Sequence, residues 1–165
     1  MKVFAFANQK GGVGKTTSAV TLADGLSRHK IKTLLIDLDP QGHLALSFGL
    51  DKSPGLYRLI CLDEPLEKVV VNIRPNLDLV AGDKQTEKVK RQITLSDFRE
   101  NILSDLLANA PYDAVLLDLA PSLDVLHLNG LIAADWVIIP TRPDALAVDG
   151  VKEILTTMAE VEQSG

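Results

Sequence analysis

Cysteine is almost missing from this chain. Cys61 is the only one in 165 residues, which excludes an internal disulfide framework and an all-cysteine metal site within one chain. Aromatic residues are scarce at 4%, and no stretch interleaves them with basic residues as a base-stacking platform would require. Positive charge is not in excess either: 17 Lys and Arg against 22 Asp and Glu leave a formal net charge of −5. Nonspecific nucleic-acid binding would therefore need a local basic patch. No apolar run approaches the roughly 18 residues of a membrane span. His29, His43 and His127 are scattered, without Cys or Glu at metal-ligand spacing. No Gly-x-Ser-x-Gly elbow supports acyl transfer, and there is no internal repeat. The opening MKVFAFAN is too short for a signal peptide. These absences lead us to expect a cytoplasmic protein with Cys61 as a small, partly buried apolar residue.

What is present is an ordinary globular composition, 46% hydrophobic and 24% charged, in a length that suits one domain with a substantial core. Its most informative stretch is residues 10–17, KGGVGKTT. An apolar run at 3–7 precedes it, and an amphipathic, helix-spaced pattern follows from Ser18. A strand, a glycine-rich turn and a helix N-terminus in that order form a phosphate cradle. Glycines let successive backbone N–H groups turn inward, and the helix dipole adds its positive end. Lys10, Gly11, Gly12, Val13, Gly14, Lys15, Thr16 and Thr17 are the expected nucleotide-binding residues. In such a loop Lys15 reaches the β- and γ-phosphates and the Thr16 hydroxyl sits on Mg²⁺, so ATP and Mg²⁺ are the expected cofactors.

Further along, residues 32–39 read as a strand buried on both faces, closed by Asp37 and Asp39 and ended by Pro40 and Gly42. Alone, an Asp-x-Asp-Pro turn is a solvated strand end. Beside a phosphate loop, both carboxylates fall at the carboxyl end of a parallel strand, where ligands bind. Short helices are expected at 54–60 and 65–70, and a third strand at 76–82. A charged, helix-spaced segment follows, with a helix over 97–110 that ends before Pro111. Lys84, Lys88, Lys90 and Arg91 form a small basic cluster, expected as a solvated helix face, with a DNA or partner contact as the alternative. Residues 112–118 are a buried strand ending in Asp118, the Walker B arrangement whose carboxylate positions Mg²⁺ or its waters. A helix over 124–132, a strand over 136–140 and a helix from Ala145 complete the alternation. The fold class is α/β, a three-layer P-loop NTPase fold with a mostly parallel sheet flanked by helices.

The usual phosphate-loop pattern asks for Gly where this chain has Gln9, and a second lysine, Lys10, stands directly before the glycine pair. The KGGVGKTT form resembles the deviant Walker A motif of the ParA/MinD superfamily, and DLDPQG at 37–42 and LDLAPSL at 117–123 resemble the switch I and switch II segments of its ParA branch. The resemblance implies that Lys10 crosses a dimer to the partner's nucleotide, so that Lys10, Lys15 and Asp39 are the catalytic set. It implies that Asp39 orients or activates the attacking water. Thr16, Asp37 and Asp118 are the implied metal residues, Asp37 acting through a water.

The same resemblance implies a single ATPase domain over 1–165, short at the C-terminus relative to the family. It further implies an ATP-dependent homodimer that hydrolyses ATP in plasmid or chromosome segregation. The implied partners are a ParB-like centromere-binding protein and nonspecific DNA, with no membrane, and ATP would bring the protein to the nucleoid. Two alternatives stay open: a MinD-like membrane-associated spatial regulator, and a small-molecule kinase or synthetase of the same superfamily. A single cysteine far from switch II counts against a shared metal cluster. The sequence departs from many relatives at Asp124, where they have Gly, and at His43, where they often have Asn. His43 is expected in a loop, with nucleotide or partner contact as the alternative.

Overall fold

Short apolar segments pair into one six-stranded sheet, flanked by helices on both faces. A computed structural model describes residues 1–96, 99–142 and 147–164. Its elements are β1 (Lys2–Phe6), α1 (Lys15–Arg28), β2 (Thr33–Asp37), α2 (His43–Ser47), α3 (Gly55–Cys61), α4 (Leu66–Val69) and β3 (Val71–Arg74). There follow β4 (Leu77–Val80), α5 (Thr86–Thr94), α6 (Ile102–Leu107), β5 (Ala114–Asp118), α7 (Val125–Ala133), β6 (Trp136–Ile138) and α8 (Ala147–Ser164). The strand order is β3-β4-β2-β5-β1-β6, parallel throughout except where β3 runs against β4.

All five residues of β2 and all five of β5 are buried, as continuous apolar runs require when helices cover both faces. Alternate residues divide between two cores. Leu34, Ile36, Val115 and Leu117 pack with Leu56, Val89, Leu103, Leu126 and Ile154, so α3, α5, α6, α7 and α8 lie on that face. Leu35, Leu79 and Leu116 pack with Ala19, Ala23 and Leu44, which puts α1 and α2 on the other. The expected three layers are therefore present.

This order decides where a ligand can sit. From β1 the chain crosses by α1 to β2, leaving a gap that β5 fills; from β5 it returns by α7 to β6 on the far side of β1. Neighbouring strands whose connections leave in opposite directions open a crevice at their carboxyl ends. In register, Phe6 pairs with Asp118 and Asp37 pairs with Asp118, so the start of the glycine turn and both carboxylates share one rim.

Several local expectations change. The strand expected third is fourth, because 71–74 forms the antiparallel edge strand β3; its partly exposed residues lack the continuous apolar run that marks β2 and β5. His43 opens the short helix α2 instead of lying in a loop, and it is exposed. The helix expected over 97–110 is described only as α6, since the backbone turns at Ala110, whose N–H bonds Leu107 O at 2.9 Å. The Asp97 start of that expected helix and the Ala145 start of the last helix lie outside the described residues.

Candidate functional site

The turn between β1 and α1 takes its shape from two left-handed glycines, Gly12 at φ +71° and Gly14 at φ +99°. A Cβ at Gly11, Gly12 or Gly14 would meet nothing within 4 Å, so it is backbone conformation and not crowding that calls for glycine at Gly12 and Gly14. The same open space leaves the turn accessible to a ligand. Gly14 is the N-cap of α1, no side chain caps that end, and no acidic residue lies in its first turn. Its leading N–H groups are thus available to an anion.

Lys15 follows and is 8% exposed. Its Nζ donates to Asn8 O at 3.0 Å. Burial pulls its pKa down from the usual lysine value, against the attraction of Asp118 and Asp39. The Thr16 hydroxyl donates to Asp118 Oδ2 at 2.6 Å. The second oxygen, Asp118 Oδ1, is buried and has no hydrogen-bond partner among the described residues. A buried carboxylate oxygen without a donor is costly, and such an atom suits a cation. Burial pushes the Asp118 pKa up to about 6, despite the Thr16 bond and the Lys15 charge.

Asp37, beside Asp118 in register, is equally buried. Its pKa is pushed up to about 7, by burial first and then by the Asp118 charge. Its Oδ1 accepts the Asp39 N–H at 3.0 Å and its Oδ2 the Leu44 N–H at 3.1 Å, so this carboxylate also shapes the turn that follows β2. Asp39 stands half-buried on that turn, where Oδ1 accepts the Gln41 N–H at 2.8 Å. Lys10 is half-buried at the head of the glycine turn, with its own N–H bound to Asn8 Oδ1 at 2.9 Å. The fold therefore gathers the residues expected to act together: the 10–17 turn, Asp37, Asp39 and Asp118.

Two features escaped the sequence reading. Asn8 is buried between the strand and the glycine turn, but no phosphate-loop pattern gives that position a role. Lys90, expected on a solvated face, instead turns inward to Asp124 at 2.8 Å, while Lys84, Lys88 and Arg91 do face solvent. The signal for the second was Asp124 itself. A carboxylate two residues after Ser122 and directly before an apolar run is an N-cap, and here it accepts the Leu126 and His127 N–H groups. His127 is buried, its Nδ1 lies 3.2 Å from Ala120 O, and burial lowers its pKa, which favours a neutral ring.

The profile of a family described as an AAA domain matches residues 1–164. The chain is 36% identical to the chromosome partitioning protein ParA of Caulobacter vibrioides, an alignment covering 99% of this chain and 64% of that protein. It is 41% identical to the chromosome-partitioning ATPase Soj of Thermus thermophilus, over 95% of this chain and 61% of the relative. It thus spans somewhat under two thirds of the length of these relatives. Among solved structures, it superposes on a cobyrinic acid a,c-diamide synthase from Mycobacterium smegmatis, crystallised with an ATP analogue and magnesium. There the TM-score is 0.91 and the identity 34%, over 99% of this chain and 69% of that one.

Proposed function

Because the chain belongs to the AAA domain family matched over 1–164 and is similar to ParA and Soj partition ATPases, we propose that it binds and hydrolyses MgATP and takes part, as an ATP-gated dimer, in segregating plasmid or chromosomal DNA. The observation that carries this reading is the buried, partnerless Asp118 Oδ1 on a carboxylate already held by the Thr16 hydroxyl at the uncapped head of α1. Among the described residues no three His, Cys, Asp or Glu converge to hold a metal unaided. That suits an ion bound by one or two protein groups together with phosphate oxygens. When bound, Mg²⁺ supplies positive charge to the β- and γ-phosphate oxygens.

Each residue then has a task. Thr16 and Asp118 would hold the ion, and Asp37 would steady it through a water. Lys15 and the N–H groups of the 10–17 turn hold the phosphates and stabilise the charge that develops on them. Asp39 accepts a hydrogen bond from the attacking water and turns its lone pair toward phosphorus, as the bond to the departing ADP breaks. Lys10 completes the site of a second subunit, so dimerisation and hydrolysis are coupled.

DNA and a ParB-like protein are the proposed partners, the first through the ATP dimer. Among the described residues no helix is long and apolar enough to cross a membrane. Cytoplasmic residence with nucleoid association in the ATP state fits this cycle. A second reading comes from the likeness to the Mycobacterium smegmatis synthase: the γ-phosphate would pass to a small carboxylate and not to water.

The experiment is ATP hydrolysis with size-exclusion chromatography, with and without nonspecific DNA, on wild type, Lys10→Ala and Asp39→Ala. Asp39→Ala should trap an ATP-bound dimer, and Lys10→Ala should neither dimerise nor turn over normally. Equal, DNA-independent turnover in all three would sink the partition reading. Hydrolysis that appears only with an added carboxylate would favour the synthetase.

A further inference from the structure

Asn8 is 1% exposed, and three of its polar groups each hold a different part of the site. Its backbone oxygen accepts the Lys15 ammonium at 3.0 Å. Its side-chain Oδ1 accepts the Lys10 N–H at 2.9 Å, a local turn that sets the entry to the glycine loop. Its side-chain Nδ2 donates to Pro140 O at 2.8 Å, two residues beyond the end of β6. One buried residue therefore meets both lysines of the loop, Lys15 through its backbone oxygen and Lys10 through its side chain, and ties the loop to the segment that follows β6 on the far side of β1.

We infer that Asn8 is a positioning residue for Lys10 and Lys15, acting through those two side chains and touching no phosphate itself. The inference rests on the MgATP reading for what the lysines do, but its geometry is independent of any nucleotide. Lys15 is nearly buried, and a buried ammonium needs an acceptor. Asn8 O supplies one, and an ammonium with three N–H donors keeps that bond while it offers the others to an oxyanion. The Lys10 N–H bond fixes where the backbone turns, and hence the side from which the Lys10 side chain leaves the loop. The Asn8 amide accepts from Lys10 with its oxygen and donates to Pro140 with its nitrogen at once. Aspartate has the same shape but no donor, and it would press a carboxylate oxygen against the Pro140 carbonyl. Alanine can do neither.

The test uses the full chain and two variants, Asn8→Asp and Asn8→Ala. Without nucleotide, amide hydrogen exchange read by NMR should show the Lys10 N–H protected in wild type and in Asn8→Asp, and exchanging at least about 10-fold faster in Asn8→Ala. With MgATP, Asn8→Ala should lose about 10- to 100-fold in kcat while KM moves less than about 3-fold, because a misplaced Lys10 costs more in the transition state than in the ground state, and Asn8→Asp, which keeps the Lys10 acceptor and loses only the Pro140 bond, should lose less. A fast-exchanging Lys10 N–H in wild type overturns the inference with no variant needed. So does a kcat within about 2-fold of wild type in folded Asn8→Ala. If wild type hydrolyses no ATP at all, the proposed function fails, and the exchange data still decide whether Asn8 holds the loop.

Discussion

Lys90 Nζ on α5 lies 2.8 Å from Asp124 Oδ2 at the head of α7, and 3.0 Å from Glu87 Oε1. The Asp124 carboxylate carries more than that ion pair. Its Oδ1 caps α7 through the Leu126 and His127 N–H groups, each at 3.1 Å, and its Oδ2 also accepts the Ser122 hydroxyl at 2.7 Å. The segment after β5 is thereby pinned to α5, with α6 and β5 lying between them in the chain. Burial opposes the charge on Asp124, yet the bonds from Lys90, Ser122 and the His127 backbone outweigh it and hold the pKa below the usual carboxylate value.

Asp124→Ala removes the cap and leaves Lys90, whose side chain is only 14% exposed, with Glu87 as its remaining carboxylate partner. It should cost about 2 kcal/mol, roughly 1 for the cap and the rest for the lost Lys90 and Ser122 bonds. Asp124→Asn keeps an oxygen for the cap and should cost about 1 kcal/mol. Urea unfolding of the three proteins measures both differences, and equal losses in the two variants would contradict the brace.

The turn after β2 is fitted just as closely against the end of β4. Gly42 has φ +62°, and a Cβ there would stand 2.4 Å from Gly82 O. A Cβ on Gly82 would stand 2.8 Å from Asp37 O and 3.2 Å from Asp37 Cγ. Gly82→Ala must therefore push the Asp37–Asp39 turn outward, since the atoms in its way are mostly backbone. We expect a loss of about 1–3 kcal/mol in stability from the overpacking. ATP turnover should fall about 10-fold or more, because Asp39 rides on the displaced turn. Unchanged turnover in Gly82→Ala would place Asp39 outside the reacting geometry.

Much of this molecule was legible in its sequence because the deciding signals are local. KGGVGKTT needs left-handed glycines directly before a helix, and the structure has them at Gly12 and Gly14. The buried runs ending in Asp37 and Asp118 announce parallel strands covered on both faces, and their register brings the two carboxylates together. What escaped the sequence depends on contacts between distant segments. Strand β3 is short and half exposed, so its sequence carries little pattern, and only pairing with β4 makes it a strand. Asn8 acquires its role from Pro140, 132 residues away. Lys90 looked like one of four surface cations until Asp124 gave it a reason to turn inward. His43 follows Pro40 and Gly42, which read as loop, but the Asp37 carboxylate accepts the Leu44 N–H and so helps start α2 there.

The paired carboxylates give the nucleotide-free protein a specific pH signature. Asp37 and Asp118 have pKa values raised to about 7 and about 6, so the folded chain binds their protons more tightly than the unfolded chain does. Their contribution to stability is complete below the unfolded carboxyl values near about 4. It is lost as pH rises through 6 and 7. Asp124 has the opposite sign: its pKa is lowered, so its contribution is present above the unfolded value and fades only as pH falls below it. From pH 5 to 8 the two raised carboxylates drive the slope downward, opposed in part by buried His127, whose lowered pKa makes its contribution grow as pH rises through the unfolded histidine value. With EDTA present, the thermal midpoint should fall by about 2–6 °C over that range, the size expected for one or two kcal/mol in a chain of this length. Asp118→Asn removes one charge and the repulsion it exerts on the other, so its midpoint should fall less and should exceed that of wild type at pH 8. Adding MgATP should raise the wild-type midpoint at pH 8 and leave that of Asp118→Asn nearly unmoved, because the variant lacks the carboxylate that takes the ion. Coincident pH profiles for the two proteins in EDTA would mean that Asp37 and Asp118 do not confront each other at the rim of the sheet.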